Sequence, residues 1–277
     1  MFKGFYTVAS GMLAQQRRTD MLTNNMANAN TPGFKADQSS MRAFPDMLLQ
    51  RFGQTEVPVT DGLKLPNNTV VGHLNTGVYM QEAMPNFLQG DLQQTENKTD
   101  VALMDVNVPG KGNGGKGSLF FTVQNQNGEK RYTRNGNFTL DSQGFLTAGN
   151  GFYVLDDKGQ RIHQANDQFT ISESGDLTGK NGERAHLGIG YAENPNRMIK
   201  EADGLYRTET GTPLVDASTR PDVRFKTQQG FLERSNVDES RTMTDMLSAY
   251  RAFEANQKVL QAYDKSMDEA VNQVGKV

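Results

Sequence analysis

The sequence predicts a mainly β protein with long terminal α-helices: an antiparallel β domain plus a helical coiled-coil domain built from the N- and C-terminal segments. Three observations predict it. Apolar residues recur at helical spacings of three, four and seven near the two chain ends. Short apolar runs punctuated by Xaa-Gly pairs fill the middle. Hydrophobic residues make up only 35 % of the 277, and mean hydropathy is −0.66, so part of the chain is solvated or buried only against a partner.

Taken in order, Phe5, Val8, Met12, Leu22 and Met26 mark a heptad-like stripe, with Gln15 and Thr19 in its polar middle. The spacing predicts a helix from about Lys3 to Ala29. Thr31-Pro32-Gly33-Phe34 then ends it, because Pro at the second and Gly at the third position suit a type II turn. Residues 1–35 are therefore read as a helix and turn. Residues 36–76, polar around Pro58 and Pro66, are read as an extended linker.

Residues 77–227 are read as the antiparallel β domain. Candidate strands include Leu119-Phe120-Phe121-Thr122-Val123, Phe138-Thr139-Leu140, Phe152-Tyr153-Val154-Leu155 and Phe169-Thr170-Ile171. Asn127-Gly128, Asn135-Gly136, Gln143-Gly144, Lys158-Gly159 and Ser174-Gly175 fall between or beside them, and such pairs suit primed hairpin turns. Glu193 to Arg224 is expected to form irregular strands.

Residues 228–277 carry the second helix. Met246, Phe253, Leu260, Met267 and Val274 recur every seven residues, and a companion series runs Met243, Tyr250, Gln257, Asp264, Val271. Ser235-x-x-Asp238 has the form of a capping box and marks the expected start. No Pro or Gly interrupts the stretch from Asp238 to Val274, so the expected helix is about 37 residues and roughly 55 Å long. A seam broken by Gln15, Gln257 and Asp264 makes a weak pair and a serviceable subunit of a larger bundle. Partner burial is the reading adopted.

Several blocks carry a family resemblance. Asn24-Asn25-Met26-Ala27-Asn28-Ala29-Asn30-Thr31-Pro32-Gly33-Phe34-Lys35 resembles the N-terminal signature of bacterial flagellar rod and hook proteins. Gln229-Gly230-Phe231-Leu232-Glu233-Arg234-Ser235-Asn236-Val237-Asp238 is similar to the segment leading into that family's last helix, and Gln89-Gly90-Asp91-Leu92 and Tyr132-Thr133-Arg134-Asn135-Gly136 match between them. Met41 to Leu49 resembles the rod proteins of Bacillus-type bacteria. The resemblance implies a structural subunit of the basal-body rod, of the Bacillus-type or distal-rod kind, with a hook-type protein as the near alternative. It implies terminal helices that pair as a coiled coil, polymerise into a hollow axial tube, transmit torque and line an export channel. It also implies that Asn25 and Asn28 belong to the subunit interface with the two stripes and Tyr250. The partners it implies are other copies of the chain, neighbouring rod and hook proteins and the flagellar export apparatus. The family departs from this chain after Asp100-Val101-Ala102-Leu103, where Met104 to Pro109 and a Gly/Lys-rich stretch replace a short turn.

Other chemistry is disfavoured. Gly110-Lys111-Gly112-Asn113-Gly114-Gly115-Lys116-Gly117-Ser118 lacks the Lys-Ser/Thr step of a phosphate loop and precedes a strand-like run. His73, His163 and His186 have no metal-ligand spacing, and there is no Gly-x-Ser-x-Gly elbow. Cysteine is absent, which removes disulfides and thiolate sites. A net charge of −3 argues against nucleic acid and anionic membrane as partners. No enzyme activity and no cofactor or metal are expected. The N-terminus has no continuous apolar stretch of the signal-peptide kind, so export without a cleaved signal, to the extracytoplasmic basal body, is expected. The reading from a different class is a secreted carbohydrate-active enzyme or binding module on the β domain.

Overall fold

A computed structural model describes residues 2–56, 64–111 and 116–274. It contains one N-terminal helix, α1 (Phe2–Ala27), one C-terminal helix, α2 (Glu239–Glu269), and antiparallel strands between them. Pro58 and Gly112 to Gly115 of the Gly/Lys-rich stretch lie outside the described residues. The chain divides into two compact units: one of residues 1–23, 39–83 and 240–277, the other of residues 24–38 and 84–239.

The larger unit is organised by the strand Ser118–Gln124. Alternate side chains of a strand point to opposite faces, and here both faces are buried. Leu119, Phe121 and Val123 enter a core with Val101, Phe138, Leu146 and Ile189. Phe120 points the other way, into a smaller cluster with Tyr132, Met198 and Tyr206. Burying a Leu or Phe completely contributes about 1.5–3 kcal/mol, so this single run anchors two layers. On one edge it pairs with Lys130–Thr133; on the other, Tyr153–Val154 covers its C-terminal half and Ile189–Ala192 its N-terminal half. Leu205–Thr208 and Met198–Lys200 extend the sheet, and short 3-10 turns join the strands of this irregular stretch.

The turn chemistry differs from the expected primed type. Asn125, Asp141, Asp156 and Ser172 each accept a hydrogen bond from the glycine amide three residues on and donate to the carbonyl four residues on. Gly128, Gly144, Gly159 and Gly175 sit at φ 84, 83, 79 and 93°. This is a type I turn followed by a left-handed glycine, which leaves a one-residue bulge. The first residue selects it. The Oδ1 atoms of Asn125, Asp141 and Asp156 each accept two backbone N–H groups across their own turn, so the side chain stabilises the type I geometry. Gly136 is no hairpin glycine: a Cβ there would lie 1.7 Å from the Val101 carbonyl oxygen, so it marks close backbone approach.

Met104 to Asn107 do not form a turn. They continue the strand Val101–Asn107, which pairs with Arg224–Gln229 across a bulge. Thr31 to Phe34 do form the expected turn, with the Phe34 N–H donating to the Thr31 carbonyl at 3.2 Å and Gly33 at φ 69°.

In the smaller unit, the stretch read as a linker forms paired strands. Met41–Ala43 pairs with Val78–Met80, and Met47–Glu56 with Lys64–Leu74. Apolar and β-branched residues supply the strand propensity, yet Leu48, Phe52, Val70 and Val71 remain exposed, Phe52 at 82 %. The base of the first pair meets α1: Ser10 Oγ accepts from the Val78 N–H at 3.2 Å, and Gly77 leaves room for it.

Candidate functional site: the helix faces and the helix roots

The two helices touch along a seam of small and polar residues. A Cβ at Gly4 would stand 2.4 Å from Tyr263 Oη, and one at Gly11 would stand 3.1 Å from Asn256 Nδ2. Arg18 reaches Asp245 at 3.5 Å. Residue numbers rise on α1 as they fall on α2, so the helices run antiparallel. On α2, Thr242 and Ala249 are the buried positions, and Asn256 and Tyr263 continue their seven-residue spacing. The glycines of α1 leave room for the ends of the Tyr263 and Asn256 side chains of α2.

The stripes read from apolar residues flank this seam. Phe5, Val8, Met12, Met26, Met246, Phe253, Leu260 and Met267 are half-buried, and Leu22 is buried. The companion series of α2 faces solvent: Met243 and Tyr250 are both 54 % exposed, and Gln257, Asp264 and Val271 are exposed too. Tyr6 and Leu13 are exposed on α1. The side chain of Val274 lies outside the described residues, although its backbone falls in a π-helical turn, Ala270–Val274, that follows α2.

Ser235 does not cap α2, which begins at Glu239. Its hydroxyl accepts from the Val237 N–H at 3.3 Å, and Asn236 takes up the polar work of this segment. Asn236 accepts from the Ala36 N–H at 2.7 Å and donates to the Asn86 and Leu88 carbonyls.

The signature asparagines split by role. Asn25 is buried and exchanges both amide hydrogen bonds with the Asp37 backbone, at 2.8 and 2.9 Å, so its amide is committed inside the chain. Asn28 donates to the Asn24 carbonyl and accepts from Thr31. Asn24 and Asn28 also line a cleft of about 360 Å³ with Thr133, Asn150 and Asp203.

Beneath the roots of both helices lies a buried charge cluster. Glu233 Oε1 accepts from Lys35 Nζ at 2.6 Å and from the Gly90 N–H at 2.8 Å. Its Oε2 accepts from Arg134 Nε at 2.5 Å, and its backbone carbonyl accepts from the Gly33 N–H at 2.8 Å. Arg134 also donates to Asp105 at 2.9 Å and to the Leu119 and Leu103 carbonyls. Lys35 adds a bond to the Leu88 carbonyl at 2.7 Å. The three central side chains are 1–2 % exposed.

Burial alone pushes the Glu233 carboxyl up, but the charges and hydrogen bonds of Arg134 and Lys35 together hold it below the usual carboxylate value. Burial, with Arg134 second, pushes Lys35 below the ordinary lysine value despite Glu233. Burial opposes the Arg134 charge, and Asp105 and Glu233 more than offset it, raising the pKa. The cluster is a satisfied ion network. Sequence reading quoted Lys35, Arg134 and Glu233 inside three blocks without joining them. Charges within otherwise apolar or Gly-rich blocks were the available signal.

Among the described residues no group of His, Asp and Glu could hold a metal ion, and no helix is long and apolar enough to cross a membrane.

The blocks that build the helices and their roots have counterparts in known proteins. Residues 5–35 match the family described as flagella basal body rod protein, 115–189 the flagellar hook protein FlgE/F/G D1 domain, and 228–274 the flagellar basal body rod FlgEFG protein C-terminal. The chain is 45 % identical to the flagellar hook-basal body complex protein FlhO of Bacillus subtilis, covering 100 % of both. It is 30 % identical to the flagellar basal-body rod protein FlgG of Borreliella burgdorferi over 98 % of both. It is 29 % identical to the rod protein FlgF of Caulobacter vibrioides over 100 % of both. With matched segments at both helix-bearing ends and in the sheet, and full-length relatives, the chain belongs to the flagellar basal-body rod protein family.

Proposed function

We propose that this chain is a rod subunit that polymerises through its terminal helices into a hollow axial tube, transmits torque and forms part of the export channel. The family is structural rather than enzymatic, and its members work in the flagellar basal body beside other rod and hook proteins. One observation carries the finer reading. Among the described residues, the unit bearing both helices exposes sixteen large apolar side chains, Phe52, Val71, Leu13, Met243 and Tyr250 among them, against five in the β unit: Met84, Leu88, Val106, Ile199 and Val215. Scattered exposed apolar residues are ordinary; a concentration of them in one unit marks an interaction surface.

In this reading the antiparallel helices form a coiled coil whose solvent-facing series, headed by Met243 and Tyr250, meets neighbouring subunits. Phe5, Val8, Met12, Leu22, Met26, Met246, Phe253, Leu260, Met267 and Val274 shape the pair. Asn28 faces the assembly, and Asn25 fixes the root from within. In this reading the unit of residues 1–23, 39–83 and 240–277 carries the assembly surface, and residues 24–38 and 84–239 form the β domain. Export proceeds through the flagellar apparatus without a cleaved signal.

The test is to locate labelled protein by microscopy in isolated basal bodies and to delete the gene. Label in the rod and arrest of filament growth outside the cell are expected. Normal flagella in the deletion, or label absent from basal bodies, overturns the reading.

A further inference from the structure

We infer that residues 230–236 form a strap, latched by Glu233, that opens and closes on the β unit as one piece while the sheets beneath it stay folded. The strap pairs Phe231–Glu233 with Leu92–Gln94 in a two-stranded sheet of its own, separate from the nine-stranded sheet built around Ser118–Gln124. Backbone bonds flank the pairing. The Thr95 N–H donates to the Gly230 carbonyl at 2.7 Å, the Arg234 N–H to the Asp91 carbonyl at 2.8 Å, and the Gly33 N–H to the Glu233 carbonyl at 2.8 Å. Gly90 lies flat beneath the strap: a Cβ there would stand 2.1 Å from the Arg234 carbonyl oxygen, a backbone contact that no side-chain rotation relieves.

What holds the strap is chiefly polar. Leu232 is buried and Phe231 half-buried, but neither belongs to the two apolar clusters of the β unit. On the partner strand Leu92 is half-buried, and Gln93 and Gln94 are exposed. The latch is the Glu233 carboxylate, which accepts from Lys35, Gly90 and Arg134. Such a latch is exact in position and weak in net stability, because opening returns the Lys35 and Glu233 charges to water and recovers the hydration that burial removed. The freed backbone groups likewise exchange protein partners for water at small net cost. Ser118–Gln124 has no such exit. Leu119, Phe120, Phe121 and Val123 are buried in apolar clusters on both of its faces, and releasing them dissolves the unit. The strap therefore opens at a free energy below that of global unfolding, as a separate cooperative piece. A cleft of about 660 Å³, lined by Asp91, Gln93 and Arg234, brings solvent to its flank.

Nothing in this device depends on assembly, so native-state hydrogen exchange on the isolated full chain tests it, at several urea concentrations below the unfolding transition. The amides of Gly33, Gly90, Thr95 and Arg234 read the strap. Those of Thr122 and Leu155, which donate to the Gly188 and Thr122 carbonyls, read the sheet. The strap amides are expected to exchange at one shared rate, roughly tenfold or more above the sheet amides. Their urea dependence should be shallow, since opening exposes little surface. Two variants open the strap by different routes. Glu233→Gln removes the counter-charge of Lys35 and Arg134 from the closed state, and Gly90→Ala sets a methyl group against the Arg234 carbonyl without touching a charge. Each should speed the strap amides a further tenfold, roughly, relative to the sheet amides. Exchange of strap and sheet amides in the native chain at one common rate and one urea slope overturns the inference, whether or not either variant folds. Strap amides that exchange separately but respond to neither variant overturn the latch.

Discussion

The β unit and the helical unit bury different things. In the β unit, Phe120 and Phe121 are fully buried on opposite faces of one strand, and even the charges of Lys35, Arg134 and Glu233 are enclosed and paired. In the helical unit the seam is held by Gly4, Gly11 and Ala249, and the large apolar residues sit beside it or face solvent. One unit is finished when its own chain has folded. The other has its smallest residues where an isolated pair would place its largest, and its apolar surface where neighbours can reach it.

The largest expected effect breaks the first half of this contrast. Arg134→Met leaves Glu233 and Asp105 without their shared partner and strands two carbonyls, so the β unit should lose about 3–5 kcal/mol. Thermal unfolding of the purified chain reads it. A loss as small as that of a surface substitution shows the enclosure is incomplete.

Next comes the seam. Gly11→Leu puts a side chain where even a Cβ meets Asn256 at 3.1 Å. Overpacking of this kind costs about 1–3 kcal/mol. Far-ultraviolet circular dichroism should lose helix while the β unit melts unchanged. Equal losses in both units contradict the division.

Leu260→Asp against Lys258→Asp sharpens the assignment of faces. Leu260 is half-buried and Lys258 exposed. A carboxylate at the first position meets a partly apolar surface and should stop complementation of a deletion strain, while the second should swim. If the outcomes reverse, the faces are misassigned.

Acid sensitivity is smaller and belongs to the β unit alone. Glu233 has a folded pKa below its ordinary value of 4.5. Its stabilising contribution is therefore complete above that value and is lost as pH falls through the folded pKa. Melting temperature against pH should fall more steeply below about 4.5 in the native chain than in Glu233→Gln.

The smallest effect on the isolated chain falls on the exposed hairpin. Phe52→Ser should change monomer stability by no more than about 0.5 kcal/mol, as surface substitutions do. It should nonetheless impair assembly. Normal swimming by this variant removes Phe52 from the interface.

Much of this was legible in residue order. Apolar runs broken by Xaa-Gly pairs placed the sheet of the β unit, helical spacing placed both helices, and Thr31 to Phe34 announced its own turn. The glycine turns were visible, but their type was set two residues upstream of each Xaa-Gly pair, by Asn125, Asp141, Asp156 and Ser172. The seam was missed because apolar periodicity draws attention to Met and Phe, whereas the room taken by Tyr263 and Asn256 is signalled by what is absent at Gly4 and Gly11. The charge cluster was missed because its members stand far apart in the chain, and nothing local pairs Lys35 with Glu233.

The contact between Gly4 and Tyr263 joins opposite ends of the chain. Closing so long a loop is entropically the most demanding step the fold contains, and a lone helix in water has marginal stability without its partner. A polypeptide that emerges from its N-terminus forward can therefore seat α1 against the nearby Val78 strand through Ser10 early, but completes the helix pair only when α2 has arrived. Assembly competence becomes a property of finished molecules, and a prematurely terminated product cannot enter the growing structure.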